Sequence, residues 1–194
     1  MAAIAAVVLL LLQAVPEVAT LLEYRRTLLL HEPWRLLTGH LVHLNWTHAL
    51  INAAAWLALA HLFSPVLDVR RQLLCMAAGA FVISAALAIA YPTVEWYRGA
   101  SGALHALFFA GATAALFQAS RRPRRWLPLL WAAALLAGGA IKIALELPRG
   151  GATPYAEWLG ANTVPQAHLA GAAVGIGLGM LFGRRPHNNP SVNR

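Results

Sequence analysis

Residues 99–120 read GASGALHALFFAGATAALFQAS, a stretch without aspartate, glutamate, lysine or arginine. A helix needs about 20 mostly apolar residues to cross a bilayer, and this stretch has that length. Backbone in lipid must hydrogen-bond to itself, which favours a helix over an isolated strand. We therefore predict that residues 101–119 form a membrane-spanning helix with two polar side chains, Ser101 and His105, close to its start.

Five further apolar runs accompany this one, at residues 2–22, 44–64, 72–91, 126–147 and 164–183. Of the 194 residues, 59% are hydrophobic and only 11% are charged, whereas a soluble domain carries roughly a quarter charged residues. Six spans with short loops leave no room for a soluble domain. The sequence therefore predicts an all-α membrane protein, a six-transmembrane-helix bundle. It forms a single membrane domain over 1–183, followed by a disordered polar cytoplasmic tail over 184–194.

The first run, which begins MAAIAAVVLLLL, lacks the positive charges that open a secretory signal peptide. We interpret it as a retained first helix. The single cysteine, Cys75, lies in an apolar run and excludes an internal disulfide. The net charge of +8 does not indicate a nucleic-acid partner, because the basic residues lie in the loops between apolar runs. The expected surrounding is the lipid bilayer.

The arginines in the loops predict the orientation, because short loops rich in basic residues stay in the cytoplasm. With a cytoplasmic N-terminus, the inner loops hold the larger group: Arg70, Arg71, Arg121, Arg122, Arg124, Arg125, Arg184, Arg185 and Arg194. The outer loops then hold Arg25, Arg26, Arg35, Arg98 and Arg149. Both termini are therefore predicted to be cytoplasmic, and the second, fourth and sixth runs each go from the outer face to the inner face.

Polar side chains at membrane depth are costly and tend to face the interior of a bundle. The second run carries His48 and Asn52 four residues apart, the fourth carries Ser101 and His105 at the same spacing, and the sixth carries His168 near its start. Residues four apart lie on one face of a helix. With the predicted orientation, all five side chains lie near the outer leaflet at similar depth, where they can meet in one pocket.

Acyl transfer is the chemistry that this set allows. A serine hydroxyl becomes a good nucleophile when a neighbouring base takes its proton, and an imidazole can be that base. Hydrogen-bond donors for the oxyanion are available from Asn52, His48 and the backbone around Ser101. Gly99 and Gly102 leave room for a peptide backbone to approach.

A third member of a catalytic triad is not obvious among the acids of the helices. Glu146 is the nearest candidate, and it lies at a helix end, four residues after Lys142. These two side chains are expected to pair with each other and extend toward the interface. We therefore expect a Ser–His dyad in which packing orients the base.

Each polar feature also has a structural interpretation. A serine between glycines is common at helix contacts, and His48 with Asn52 can clamp two helices together. Four glycines at four-residue spacing, Gly171, Gly175, Gly179 and Gly183, indicate close helix packing without indicating a function. The coincidence of all these polar residues at one depth favours a catalytic site.

Together the motifs resemble those of the rhomboid proteases over about residues 34–183. The matching stretches are Trp34-Arg35, His48 to Asn52, Gly99-Ala100-Ser101-Gly102, and Ala167-His168 followed by Gly171 and Gly175. The resemblance implies that Ser101 is the nucleophile and His168 the general base. It also implies that His168 reaches Ser101 because glycines let the sixth helix pack against the fourth.

The same resemblance implies an oxyanion hole from His48, Asn52 and the backbone N–H groups of Ser101 and Ala100. It implies no cofactor and no metal. The stretch HEPWR at 31–35 likewise does not form the H-E-x-x-H motif of a metalloprotease.

Two positions depart from the common rhomboid pattern. His105 stands where many rhomboids have an aromatic residue stacked on the catalytic histidine, and it either tunes the base or only fills the pocket. Phe63-Ser64-Pro65 stands where an acid is usual near the inner end of the second helix.

The stretch S-G-x-L-H, from Ser101 to His105, resembles the rhombosortase branch. That branch implies transmembrane protein substrates with C-terminal anchors made of a Gly-Gly motif, an apolar helix and a basic tail. It also implies the bacterial inner membrane, with the active site opening to the periplasmic side.

Three other functions remain as alternatives. The chain can be a general rhomboid protease with other substrates, or a non-catalytic rhomboid-like binder of transmembrane helices. Such binders typically lose the serine or the histidine, and this chain has both. Six helices would also suit a small transporter, but the sequence has no membrane-embedded carboxylate relay and no sign of an inverted repeat.

Overall fold

The computed structural model of the protein describes residues 2–121, 126–154 and 156–184. This part of the chain forms nine α-helices: α1 Ala2–Gln13, α2 Pro16–Leu22, α3 Arg35–Thr38, α4 Trp46–Leu62, α5 Val69–Ala90, α6 Ser101–Ser120, α7 Trp126–Glu146, α8 Ala156–Leu159 and α9 Pro165–Arg184. Two 3-10 helices, Arg26–Leu28 and Leu147–Arg149, and two short strands, β1 Tyr24–Arg25 and β2 Trp96–Tyr97, complete it. The predicted tail beyond Arg184 lies outside the described residues, as do five of the arginines used to predict orientation, Arg122, Arg124, Arg125, Arg185 and Arg194.

The long helices agree with the predicted runs, and the protein is an all-α helical bundle. Within the described ranges, four helices are long and apolar enough to cross a membrane: α5, α6, α9, and α7 together with the 3-10 turn that follows it. The helix α4 has 17 residues, at the short end of what spans a bilayer. The predicted count of six spans is therefore not confirmed.

The first apolar run is broken, so the prediction of one continuous helix over 2–22 is wrong. The helices α1 and α2 meet at an angle of 106° and form at most one bent span. The reason is Pro16, the first residue of α2, because proline disfavours a helical conformation in the residue before it. Val15 is accordingly extended, with φ −122° and ψ 91°.

The centre of the bundle is α6, and α9 lies against its backbone. The four glycines of α9 at four-residue spacing all face this contact. A Cβ atom on Gly171 or Gly175 would meet the carbonyl oxygen of Gly102 or Ala106, and one on Gly179 would lie 2.6 Å from the carbonyl oxygen of Ala110. Small residues thus let the two helices approach closely along their length, which brings the start of α9 beside the start of α6.

The segment between α2 and α4 holds the start of α6 in place. Strand β1 pairs antiparallel with β2, and the N–H of Gly99 donates to the carbonyl oxygen of Gly39 at 3.1 Å. The buried guanidinium of Arg35 donates to the carbonyl oxygens of Thr20 and Glu23 at 3.0 and 2.7 Å and pairs with Glu32. Arg35, from the Trp34-Arg35 motif, therefore organises the segment on which the turn before Ser101 rests.

Two glycines of α9 offer a matched test of this packing. Gly175→Ala is expected to lower the free energy of unfolding by about 1–3 kcal/mol, because the added methyl group overpacks the contact with α6. Gly177 has no atom of the described residues within 4 Å of its Cβ position. Gly177→Ala is expected to leave stability unchanged or raise it by up to about 1 kcal/mol through better helix propensity. Thermal unfolding of both variants in detergent measures the difference, and equal stabilities would contradict the close contact.

Candidate active site

Ser101 is the first residue of α6, and the turn before it is built around Gly99. Gly99 has a φ of 129°, a region that favours glycine, and a Cβ atom there would lie 2.8 Å from Cε1 of the His48 ring. A Cβ atom on Gly102 would lie 3.0 Å from Ile83 Cδ1 and 3.2 Å from the carbonyl oxygen of Ala167. The Cβ positions of both glycines thus lie against other residues of the protein, and the role of the glycines toward a peptide backbone stays a prediction.

The first turn of α9 presents His168 to Ser101. The Ser101 Oγ and His168 Nε2 atoms are 3.0 Å apart, within hydrogen-bond range. His168 is 2% exposed and Ser101 is partly buried. The two residues that the sequence singled out as nucleophile and base are therefore in direct contact, in the geometry of a serine next to its general base.

The other ring nitrogen of His168 contacts a carboxylate, which differs from the predicted dyad. His168 Nδ1 and Glu146 Oε2 are 2.7 Å apart, and Glu146 Oε1 accepts from Lys142 Nζ, also at 2.7 Å. The pairing of Lys142 with Glu146 is as predicted, whereas the contact of Glu146 with His168 was not predicted. Glu146 ends α7, and only the fold shows that this end lies against the start of α9.

His105, one turn below Ser101, stacks on the ring of His168. The ring centroids are 4.2 Å apart and the planes differ by 16°. His105 Nδ1 lies 2.7 Å from the backbone carbonyl oxygen of Ser101. Because a carbonyl oxygen only accepts, this nitrogen carries a proton. His105 therefore occupies the stacking position that the resemblance assigned to an aromatic residue.

A cavity of about 670 Å³ opens over these groups and is lined by Ser101, His168, His48, Asn52 and His105, among others. His48 lies in the first turn of α4, whose start is capped by Asn45 through a 2.8 Å hydrogen bond from the His48 N–H. Two nitrogens, His48 Nδ1 and Asn52 Nδ2, are buried without a hydrogen-bond partner in the described part of the chain. Unpartnered buried polar atoms are costly, and both of these belong to residues that line the cavity.

The N–H of Ala100, predicted as an oxyanion donor, already has a partner. It donates to His43 Nε2 at 3.4 Å. Burial lowers the pKa of His43 to about 3, so the ring is neutral and its nitrogen can accept. The N–H of Ser101, at the first position of α6, belongs to the group of helix N–H donors that lack a partner within the helix. This role of His43 could not be predicted from the sequence, because its partner is a backbone atom far along the chain.

Three histidines lie before and at the start of α4, His40, His43 and His48, and they are not arranged as one set of metal ligands. His40 Nε2 lies 3.1 Å from Ser84 Oγ, and the rings of His43 and His48 meet edge to face with centroids 5.0 Å apart. Across residues 2–121, 126–154 and 156–184, no group of three or more His, Cys, Asp or Glu side chains is arranged to hold a metal ion.

The comparison with known proteins agrees with this geometry. No curated protein matches the sequence. The family model described as "Rhomboid domain" matches residues 30–185, a range that contains each of the contacting residues above. The apolar helices and this match identify an integral membrane protein. The chain belongs to the rhomboid family, whose members are generally intramembrane serine proteases.

Proposed function

We propose that the protein is an intramembrane serine protease in which Ser101 is the nucleophile and His168 the general base. The observation that carries the proposal is the 3.0 Å contact between Ser101 Oγ and His168 Nε2 at the wall of an open cavity. A structural serine–histidine pair has no need of such a cavity. The buried pair of His40 and Ser84, at a similar distance, has no place in its lining.

In the proposed reaction, Ser101 Oγ bonds to the carbonyl carbon of the scissile peptide while its proton passes to His168 Nε2. The carbonyl oxygen becomes the oxyanion of a tetrahedral intermediate. When the intermediate collapses, the C–N bond breaks, the Nε2 proton goes to the leaving amine, and an acyl-enzyme remains. Water then adds its oxygen to the acyl carbon and its proton to Nε2. Ser101 Oγ recovers that proton as the carboxylic acid leaves.

The oxyanion needs donors aimed at it before the reaction begins. Asn52 Nδ2 is an obligatory donor and lacks a partner in the described part of the chain, and His48 Nδ1 is likewise unpartnered. We assign the oxyanion hole to these two side chains and the N–H of Ser101. We leave Ala100 out of it, because its N–H donates to His43.

The proposed setting is the bacterial inner membrane, with both termini cytoplasmic and the site opening to the periplasm. The positions of three arginines, Arg71, Arg121 and Arg184, support one basic end of the bundle. Arg121 Nη1 donates to the carbonyl oxygen of Arg184 at 3.4 Å, and the Arg71 guanidinium lies 5.4 Å from the centre of the Phe182 ring. These residues lie at the helix ends remote from Ser101 and His168, which fits a cytoplasmic face opposite the site.

The proposed substrates are transmembrane anchors of exported proteins, cut near the outer face, where water is available. Within that class we favour the rhombosortase type, with a Gly-Gly motif before the apolar helix, because Ser101 to His105 carries the S-G-x-L-H stretch. A general rhomboid protease with other substrates is the alternative. A non-catalytic binder of transmembrane helices is less favoured, because the serine and histidine are both present and in contact.

Labelling with a fluorophosphonate tests the nucleophile, because Ser101 Oγ would displace fluoride from its phosphorus. Wild-type protein in detergent is expected to label, Ser101→Ala is not, and His168→Ala is expected to label about 10²-fold more slowly or worse. Ser120→Ala and His61→Ala are matched controls on exposed residues and should label like wild type. Wild-type labelling no faster than that of Ser101→Ala would contradict the proposal.

Cleavage of a designed anchor tests the substrate class. An exported reporter that ends in a Gly-Gly motif, an apolar helix and a basic tail is expected to be cut on co-expression with wild type and to stay intact with Ser101→Ala. A reporter with Val-Val in place of Gly-Gly is the control and should remain anchored. If the Gly-Gly reporter stays intact while other transmembrane substrates are cleaved, the general rhomboid protease is the better description.

A further inference from the structure

We infer that Glu146 is a positioning residue for His168. Its carboxylate holds the Nδ1–H of the imidazole and thereby keeps Nε2 free to take the proton of Ser101. The inference rests on the proposed function and adds a third member to the dyad expected from the sequence. The three side chains come from three different helices, Ser101 on α6, Glu146 at the end of α7 and His168 on α9.

The hydrogen bonds fix which nitrogen of His168 carries the proton. An ionised carboxylate only accepts hydrogen bonds, so the 2.7 Å contact between Glu146 Oε2 and His168 Nδ1 requires a proton on Nδ1. In a neutral imidazole, Nε2 then has a free lone pair. That nitrogen is the one 3.0 Å from Ser101 Oγ. Without the carboxylate, the ring could adopt the other tautomer, in which Nε2 is protonated and cannot act as a base.

The charge of Glu146 also favours the protonated, cationic form of His168. When Nε2 takes the serine proton, His168 becomes a cation next to the carboxylate of the buried residue Glu146. The groups that face His168 are Ser101 and His105 from α6, His48 from α4, and Lys142 and Glu146 from α7. Among these described groups Glu146 is the only acid, so the stabilisation of a transient imidazolium falls to it.

A purely structural ion pair between Lys142 and Glu146 is the alternative explanation. The two side chains are unequally placed, since the Lys142 side chain is 42% exposed and that of Glu146 only 6%. A solvated pair of this spacing on a helix is worth little. A carboxylate withdrawn from solvent at membrane depth is expensive and is expected to have a functional partner there. The Glu146 carboxylate makes two contacts, and the one to His168 is more buried than the one to Lys142. This difference favours the positioning role.

The test separates chemistry from binding with the same fluorophosphonate probe, by measuring the maximal rate of inactivation and the half-saturating probe concentration. Glu146→Gln keeps the shape but loses the charge. It is expected to lower the maximal rate by about 30-fold or more while the half-saturating concentration changes by less than about threefold. Glu146→Asp keeps a carboxylate on a shorter side chain. Its maximal rate is expected to be about tenfold higher than that of Glu146→Gln.

Lys142→Gln is the matched control, because it removes the other half of the pair and leaves the contact with His168. It is expected to stay within about threefold of the wild-type maximal rate. A purely structural pair would instead give Lys142→Gln and Glu146→Gln equal losses of rate, in step with equal losses of thermal stability. That result overturns the inference, as does a wild-type maximal rate in Glu146→Gln.

Nitrogen NMR of the wild-type protein reports the tautomer of His168 itself and does not depend on a reaction rate. With labelled histidine, and with His168→Gln used for assignment, the neutral ring of His168 is expected to carry its proton on Nδ1. A proton on Nε2 overturns the inference. Failure of the protease proposal looks different, because Ser101→Ala would then label like wild type. If wild type labels faster than Ser101→Ala, but Glu146→Gln labels at the wild-type rate, only the proposed role of Glu146 is rejected.

Discussion

The close contact of α9 with α6 is the constraint on which the site depends. Gly171 and Gly175 bring the backbone of one helix against carbonyl oxygens of the other, and only this distance lets His168 reach Ser101. In a bilayer the hydrophobic effect does not drive helices together, so close van der Waals packing has to supply much of the attraction. The same glycines therefore hold the bundle together and set the separation between the proposed nucleophile and its base.

Polar groups in such a bundle are expensive, and most of those near Ser101 bind to each other. His168 contacts Ser101 and Glu146 through its two nitrogens, His105 contacts the backbone of Ser101, and the neutral ring of His43 accepts from Ala100. Among the described residues that line the cavity, two buried nitrogens lack a hydrogen-bond partner, His48 Nδ1 and Asn52 Nδ2. Unpaired donors at the wall of the cavity are expected where a negatively charged group is to be bound during the reaction.

Much of this arrangement could be predicted from the sequence. Apolar runs identified the long helices, and the rule that residues four apart share a face, combined with the predicted orientation, grouped Ser101, His105 and His168 with His48 and Asn52 at one end of the bundle. The break at Pro16 was missed because the run 2–22 was judged by its apolar character, although the proline was visible. The bend shows that one backbone restriction can outweigh continuous hydrophobicity.

Other details depend on distances between helices, which the sequence does not contain. Glu146 was visible as an acid at a helix end, but its contact with His168 depends on where α7 ends relative to α9. The Cβ positions of Gly99 and Gly102 lie against His48, Ile83 and Ala167, and these neighbours depend on how the helices pack. The backbone partner of His43 had no sequence signal at all.

The repeat of glycines on α9 has a further consequence. A shift of α9 by four residues, roughly 6 Å along its axis, would place Gly175 where Gly171 lies and present the same small surface to α6. The glycines therefore permit close approach in several registers and do not choose among them. The register is instead determined by the polar contacts of His168 with Ser101 and Glu146, which form in one register only. Polar contacts can specify a unique alignment in this way even when they add little stability. The groups proposed to carry out the reaction thus also determine how the two central helices are aligned.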